Sequence, residues 1–168
     1  MDVASLLLEL YGRIPPLARS AVEGVDLAEL TRSPSPGANT IAWLVWHTAR
    51  VQDHHVAELT DADQVWLGDE WARRFGLDPD PSNTGYGHSA QDVYAVRPGR
   101  PELLIEYLDA VSRRTSALLE NVTPPELDRI VDRRWDPPVT LGVRLVSIAD
   151  DSLQHLGQAA YVRGLLVS

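Results

Sequence analysis

The stretch from Thr140 to Leu166, TLGVRLVSIADDSLQHLGQAAYVRGLL, is the most informative segment of the chain. Its apolar residues recur every three or four positions around most of a helical circumference, a pattern typical of a long and largely buried helix. These apolar positions are Leu145, Val146, Ala149, Leu153, Leu156 and Ala160. One polar stripe shares the helix and consists of Arg144, Ser147, Asp151, His155 and Gln158. The segment therefore predicts a helix that is buried in a bundle and carries polar groups on one face.

Three further segments have the same apolar recurrence and, with this last helix, predict an all-α four-helix bundle. They run from about Val3 to Val25, from about Thr40 to Thr60 and from about Pro101 to Asn121. The first should kink or break at Ile14-Pro15-Pro16, because its two prolines lack the backbone N–H that a helix needs. Its core candidates are Leu6, Leu7, Leu10, Leu17 and Val22. Since no internal repeat or linker is visible, residues 1–168 are expected to form one domain.

A long crossover, Asp61 to Arg100, joins the second and third predicted helices. A connection of this length without structure of its own would be unusual in a compact domain. We therefore expect short helices at about Asp69–Phe75 and Ser89–Val96, with the loop Gly85–His88 between them. Asn39 is a plausible N-cap for the second helix. Because no segment alternates with a period of two, strands should be minor or absent.

The charge and length of the chain restrict its partners and location. A formal net charge of −9 argues against binding to a nucleic-acid backbone or to an anionic membrane surface. No apolar run reaches the roughly 18–20 residues that cross a bilayer. The N-terminal sequence MDVASLLLELYGR lacks the basic start of a secretory signal. We therefore expect a cytoplasmic protein that acts on small molecules.

Two residue types are missing from the composition, and each absence excludes a class of chemistry. All 15 basic residues are Arg, so a Schiff-base lysine and a phosphate-loop lysine are excluded. The chain contains no Cys, which excludes disulfides, cysteine-ligated zinc and a cysteine nucleophile. Any thiol chemistry must therefore use a thiol brought from outside.

Asp151 and His155 are the first candidate ligands of a metal ion. Their spacing of four residues points both side chains the same way from adjacent helical turns. An ionised carboxylate in a buried position needs a partner or a metal. The pair is therefore either a structural hydrogen bond between acid and imidazole or two ligands of a divalent ion.

A third ligand is available on the second predicted helix, in the run Trp43-Leu44-Val45-Trp46-His47. By itself, a histidine among such apolar residues is more often a satisfied core residue than a ligand. Together, His47, Asp151 and His155 offer two neutral nitrogens and one carboxylate. That set suits Zn²⁺ or, with open positions, Fe²⁺, Ni²⁺ or Mn²⁺. Three protein ligands leave a coordination position for water or substrate, as in catalytic sites.

Two stretches carry a resemblance to a known family: IAWLVWH, which ends at His47, and DDSLQHLGQAAYVRG, from Asp150 to Gly164. They resemble the DinB-like superfamily, which includes YfiT-type metal-dependent proteins and the mycothiol-dependent maleylpyruvate isomerase. That family has one histidine on its second helix and a pair of ligands four residues apart on its last, followed by Gly-Gln. The first member of the pair is usually His, or Glu in the isomerase type, whereas this chain has Asp151. The resemblance implies a DinB/YfiT-type bundle that holds a metal at His47, Asp151 and His155.

One branch of that superfamily, the actinobacterial mycothiol S-transferases, resembles a larger part of the chain. The matching stretches are Asn39–Leu59, Gln64–Leu77, Gly85–His88, Arg134–Thr140 and Arg144–Arg163. The resemblance implies a homodimer that transfers a low-molecular-weight thiol, mycothiol or a similar one, to a small electrophile. A metal-bound thiol is deprotonated and is thus a nucleophile at neutral pH. Two alternatives stay open: an isomerase that returns the thiol, and a non-enzymatic, metal-stabilised stress or small-molecule-binding protein.

Further polar and aromatic residues are candidates for substrate binding, and each also has a purely structural interpretation. They are His54, His88, Arg134, Trp135, Arg144 and Gln158. His54 and its neighbour His55 could simply be solvated, and His88 could only close a loop. Arg144 could form a structural ion pair, and Arg134 with Trp135 could form a packing corner before the last helix.

Overall fold

The computed structural model describes residues 1–166 of the protein. Within this range the chain forms eight α-helices, two 3-10 turns and one two-stranded antiparallel ribbon. The helices are α1 Val3–Tyr11, α2 Ile14–Val22, α3 Leu27–Leu30, α4 Ile41–Thr60, α5 Trp71–Arg74, α6 Ala90–Ala95, α7 Glu102–Leu119 and α8 Leu141–Leu166. The 3-10 turns are Val65–Leu67 and Pro124–Asp128, and the strands are β1 Ile130–Asp132 and β2 Val139–Thr140. The predicted all-α class is confirmed, and strands are indeed minor.

Helix α4 is the central element of the bundle. It packs on both α7 and α8, and α2 packs on the same two helices. Every residue from Ile41 to Arg50 is buried. Because this half of α4 is enclosed on all sides, polar groups within it must find partners inside the protein.

The first predicted helix is divided into α1 and α2, as the two prolines indicated. Helix α1 ends at Tyr11 and α2 begins at Ile14, so both prolines lie in the first turn of α2, where a missing N–H costs little. The core assignment was wrong at Leu6 and Leu17, which are 56% and 45% exposed. Because α1 and α2 are separate helices, their buried faces need not line up as they would in one continuous helix. A single helical periodicity applied to both therefore selects the wrong face.

The crossover between α4 and α7 contains the two expected short helices and one 3-10 turn. Ser89 caps α6 and forms a capping box with Asp92. The N-cap of α4 is Thr40 rather than Asn39, because the Thr40 hydroxyl accepts the N–H of Trp43 at 3.0 Å. Asp53 of α4 holds the start of the crossover by accepting the backbone N–H groups of Val65 and Trp66, each at 2.8 Å.

Helix α8 is less buried than its sequence predicts. Val146, expected in the core, is 62% exposed. It belongs to a face of α8 that leaves large apolar side chains open to solvent, namely Val143, Val146, Tyr161 and Leu165. The opposite face packs on α2 and α4. No helix within residues 1–166 has both the length and the apolar character needed to cross a bilayer.

Candidate metal centre

The three predicted ligands come together where α4 faces α8. His47 of α4 and the pair Asp151 and His155 of α8 each place one ligand atom within 4.8 Å of the others. Nε2 of His47 lies 3.8 Å from Oδ1 of Asp151. The two imidazole rings stand edge to face, with their centroids 4.6 Å apart. A common point lies within reach of all three side chains.

Hydrogen bonds to backbone carbonyls orient both imidazoles. Nδ1 of His155 donates to the carbonyl of Asp151 at 2.8 Å, and Nδ1 of His47 donates to the carbonyl of Thr84 at 2.5 Å. Because a carbonyl oxygen only accepts, the hydrogen of each neutral ring lies on Nδ1. Nε2 of each ring therefore keeps its lone pair, as a metal ligand requires.

Asp151 has one carboxylate oxygen that the protein leaves unsatisfied. Oδ2 is buried and has no hydrogen-bond partner among residues 1–166. Nδ1 of His155 lies 3.4 Å away from it but directs its hydrogen to the nearer backbone carbonyl. Since an unpaired buried oxygen costs free energy, this atom is suited to a cation. Two imidazole nitrogens and the Asp151 carboxylate form a donor set that fits a divalent ion.

The pKa values of the pair are consistent with an ionised ligand. Burial disfavours the charged carboxylate of Asp151, but its interactions with His155 and His47 outweigh this and hold its pKa below the usual range. Burial also opposes the charged form of His155, and the interaction with Asp151 outweighs it and raises the pKa of that imidazole. Asp151 is thus a carboxylate at neutral pH, and a metal ion must compete with a proton for His155.

Aromatic and loop residues enclose His47. The indole of Trp43 stacks on the imidazole, with 4.6 Å between ring centroids and 10° between planes. Its Nε1 donates to Nδ1 of His88 at 3.1 Å, and Nε2 of His88 lies 2.9 Å from Oδ1 of Asn83. Both nitrogens of His88 are therefore occupied, and this residue contacts Trp43 rather than joining the three-ligand group.

An open cleft of about 560 Å³ borders the three-ligand group, and His47 and Asp151 form part of its wall. Four of the residues predicted to bind substrate also line it: His54, Arg134, Trp135 and Arg144. His88 and Gln158 are not among its lining residues, and Gln158 is exposed on α8. A second cleft, of about 610 Å³ and lined by Val56, Arg114 and Leu118, has no histidine in its wall.

Asp132, which the sequence analysis did not single out, organises the outer part of this cleft. Its carboxylate accepts Nε and Nη2 of Arg134 and Nη2 of Arg144, each at 2.9 Å. These hydrogen bonds, with that of Arg134 first, hold the pKa of Asp132 well below its usual range. Trp135 comes directly after Arg134 in the chain, lines the cleft and is 65% exposed. The sequence signal that could have indicated the role of Asp132 is its position two residues before Arg134, in the segment that leads into α8.

A second group of potential ligands lies on α4, beginning about two turns after His47. His54, His55 and Glu58 place their ligand atoms within 4.8 Å of one another. Nδ1 of His55 lies 3.2 Å from the Glu58 carboxylate, and Nε2 of His54 lies 3.6 Å from it. His54 and His55 line the same cleft as His47.

The fold and the site together define a class of protein: a helical bundle whose facing helices could hold one divalent ion beside an open cleft. The chain belongs to the DinB superfamily, whose family model matches residues 11–159. That superfamily includes metal-dependent enzymes.

A solved structure with the same fold is that of a conserved protein from Enterococcus faecalis. It is 33% identical in sequence and superposes with a TM-score of 0.91. The match covers 99% of this chain and 98% of that one. No curated protein matches the chain.

Proposed function

We propose that this protein is a metal-dependent S-transferase that joins a low-molecular-weight thiol, mycothiol or a similar one, to a small electrophile. The observation that carries the proposal is the meeting of three ligand atoms, from His47, Asp151 and His155, beside an open cleft whose wall includes His47 and Asp151. A site used only for stability would be expected to close around its ion with protein ligands. Here one side of the group faces space that a thiol can enter.

The absence of a fourth ligand argues against a purely structural metal. His88 has both nitrogens in hydrogen-bonding contact with Trp43 and Asn83. Nδ1 of His54 contacts the side-chain amide of Gln64 at 3.2 Å. Neither histidine completes a closed coordination shell within residues 1–166, so an exogenous molecule must fill any further position.

The chemistry that a divalent ion supplies at such a site is to bind a thiol sulfur and stabilise its deprotonated form. The protein holds the ligands in place for this. The carbonyls of Thr84 and Asp151 fix the two imidazoles, and Trp43 shields one face of His47. Because the chain has no cysteine, no protein thiol competes for the same position.

The rest of the cleft is suited to binding two small molecules. Trp135 and Tyr86 present exposed aromatic faces that can contact a sugar ring or a flat electrophile. Arg134 and Arg144 are held by Asp132 and add positive charge to the wall. We assign zinc as the ion, with nickel, iron or manganese as alternatives that the same donor set accepts.

A thiol-dependent isomerase is the second candidate function. The observation in its favour is the carboxylate of Asp151, at a position where the resembling isomerase has Glu and other relatives have His. An isomerase would return the thiol unchanged, whereas a transferase would consume it. Thiol consumption during turnover therefore distinguishes the two.

The proposal includes a homodimer in the cytoplasm. Support for the dimer comes from the apolar face of α8, where Val146 and Tyr161 are 62% and 69% exposed. Covering such side chains with a second copy would remove apolar surface from water. Size-exclusion chromatography with light scattering measures this directly.

Substrate assays on purified, zinc-loaded protein test the proposed activity. Mycothiol and glutathione are each offered with monobromobimane, whose bromide leaves as the carbon–sulfur bond forms. We expect the protein to accelerate loss of mycothiol over the uncatalysed rate, and to act less on glutathione. No acceleration with either thiol, in protein that holds one zinc ion per chain, would overturn the S-transferase assignment.

A further inference from the structure

Arg50 is a charged residue in the core of the bundle, and its contacts reach two of the three histidines that line the cleft, His47 and His54. Its side chain is fully buried. Nη1 donates to Oδ2 of Asp53 at 3.3 Å and to the hydroxyl of Tyr107 at 3.2 Å, and the guanidinium lies 4.8 Å from the Trp66 ring centroid. A buried arginine needs such partners, because an unpaired charge there is costly. These contacts fix the guanidinium and leave its remaining donors for the crossover.

The first connection runs from Arg50 to His47 through the crossover loop. Nε donates to the carbonyl of Asn83 at 2.9 Å, and Nη2 donates to the carbonyl of Pro81 at 3.2 Å. The next carbonyl of this loop, that of Thr84, accepts Nδ1 of His47. By holding the loop, Arg50 holds the acceptor that places the hydrogen of His47 on Nδ1.

The second connection runs from Arg50 to His54 through Gln64. Nη2 of Arg50 lies 2.9 Å from Oε1 of Gln64. A guanidinium only donates, so the atom facing it must be the amide oxygen. The amide nitrogen of Gln64 then faces Nδ1 of His54 at 3.2 Å and the carbonyl of Pro81 at 3.1 Å. Since this nitrogen only donates, Nδ1 of His54 accepts, and the hydrogen of the neutral ring lies on Nε2.

This tautomer prevents the second group on α4 from acting as a metal site. Nε2 of His54 carries a hydrogen and has no lone pair for an ion. In His55, Nε2 faces the donor Nη1 of Arg144 at 3.4 Å, and Nδ1 donates to Glu58 at 3.2 Å. The guanidinium of Arg134, 4.0 Å from Glu58, adds further positive charge that opposes a dication.

We infer that Arg50 is a positioning residue that gives His47 and His54 opposite tautomers. His47 presents a lone pair that can ligate a metal. His54 presents an N–H group to the same cleft, where it donates a hydrogen bond to an oxygen atom of the bound substrate. The nearest carboxylate, Oε1 of Glu58, is 3.6 Å from Nε2 of His54, so this donor is open to a ligand. The inference rests on the proposed function, because it assigns His47 to the metal and His54 to the substrate.

The test is nuclear magnetic resonance of the full-length, ¹⁵N-labelled, metal-free protein, in which imidazole ¹⁵N shifts report the tautomer of each histidine. Wild-type protein should show the hydrogen of His47 on Nδ1 and that of His54 on Nε2. In Gln64→Glu, the new carboxylate only accepts, so Nδ1 of His54 should become protonated while His47 keeps its tautomer. In Arg50→Lys, both histidines should become mixtures of tautomers, and zinc affinity should fall at least tenfold. Arg13→Lys is the matched control, because Arg13 forms an exposed ion pair with Glu9. It should change neither the two tautomers nor the zinc affinity.

Several results would overturn the inference. One is a wild-type His54 with its hydrogen on Nδ1, and another is a Gln64→Glu variant in which His54 does not change. Unchanged tautomers in folded Arg50→Lys, or two zinc ions per wild-type chain, would do the same. If Arg50→Lys does not fold, the tautomer of His54 in Gln64→Glu decides whether the inference stands. That variant should fold, because Gln64 is partly exposed. The tautomers are measured without metal or thiol, so their result is independent of whether the protein proves to be an S-transferase.

Discussion

Gly85 lies so close to His47 that a Cβ atom added to it would stand 2.6 Å from Nδ1 of the imidazole. The same Cβ would come within 3.1 Å of the rings of Trp43 and Trp46. Gly85 also has a φ of +96°, a conformation that side chains disfavour. The crossover loop thus rests directly on the imidazole, and its carbonyl at Thr84 orients the ring.

Gly85→Ala should therefore weaken metal binding. The added methyl must push the loop or the imidazole away, which disturbs the hydrogen bond that leaves Nε2 free. We expect at least a tenfold loss of zinc affinity, measured by competition with a chromophoric chelator. Gly87→Ala is the matched control, because its φ is also positive at +74° but its Cβ would meet no atom within 4 Å. Alanine at a positive φ destabilises the folded state by about 1–2 kcal/mol in both variants, so only the steric contact with His47 differs between them. Equal zinc affinities would therefore contradict the steric account.

Asp151→Asn should lower metal affinity without changing the shape of the site. The amide keeps the size of the carboxylate but removes the charge that offsets the ion. We expect a loss of at least 10–100-fold, the range typical of removing even an indirect partner of a metal site. Asp150→Asn is the control, since Asp150 is exposed and accepts a hydrogen bond from the side-chain amide of Gln154 in the next turn. Equal zinc content in the two variants would remove Asp151 from the site.

His155→Ala should abolish stoichiometric metal binding while the bundle keeps its helix content. The core is built by apolar side chains, and His155 is only partly buried at its edge. Circular dichroism measures helix content, and elemental analysis measures the bound metal. His54→Ala is the control, because His54 lines the cleft but is not in the three-ligand group. This variant should retain one ion per chain. The assignment fails if His155→Ala retains the ion or His54→Ala loses it.

The stability of the metal-free protein should fall as the pH drops below about 6.5, in part because of His55. Burial lowers the pKa of His55, Arg144 and His54 lower it further, and Glu58 opposes them. In the unfolded chain this histidine has the ordinary pKa of an imidazole, about 6.5. Between that value and its lower folded pKa, the unfolded state binds more protons, so acid favours unfolding.

The check is the free energy of unfolding in urea, measured at several pH values for wild-type protein and His55→Gln. The variant cannot titrate, so its stability should depend less steeply on pH below about 6.5. A slope equal to that of the wild type would show that His55 does not contribute.

Trp135→Ala should raise KM for the thiol or the electrophile severalfold and leave the metal content unchanged. The indole lines the cleft, but it is not part of the three-ligand group. Leu67→Ala is the control, because Leu67 is also an exposed apolar residue and lies outside both the cleft wall and the apolar face of α8. If both variants retain wild-type KM values, Trp135 does not contact substrate.

Local spacing explains why much of the fold and the three-ligand group could be predicted from sequence. Asp151 and His155 are four residues apart on one helix, so their common direction follows from helical geometry alone. The break before α2 follows from two prolines, and the start of α6 from the capping box of Ser89. Each of these features depends on residues that are close together in the chain.

The features that could not be predicted depend on where the crossover lies in space. Gly85 and Thr84 reach His47 across 37 or more positions of sequence, and backbone carbonyls such as those of Pro81 and Asn83 have no sequence signature. Arg50 did leave a signal, a charged residue in a mostly apolar half-helix, with Asp53 three residues later. Gln158 continues the polar stripe of α8, but it is exposed and outside the cleft wall. Its role as a substrate contact stays a prediction.

The most direct test of the account is thiol transfer by one protein preparation in three states: zinc-loaded, chelated, and chelated with zinc added back. The assay is run at about pH 6–7, below the pKa of about 8.5 of a free thiol, so that uncatalysed thiolate is scarce. We predict transfer by the zinc-loaded protein, none above background after chelation, and recovery of the rate when one zinc ion per chain is restored. A chelated protein that transfers the thiol as fast as the zinc-loaded sample would contradict the claim that His47, Asp151 and His155 hold a catalytic metal.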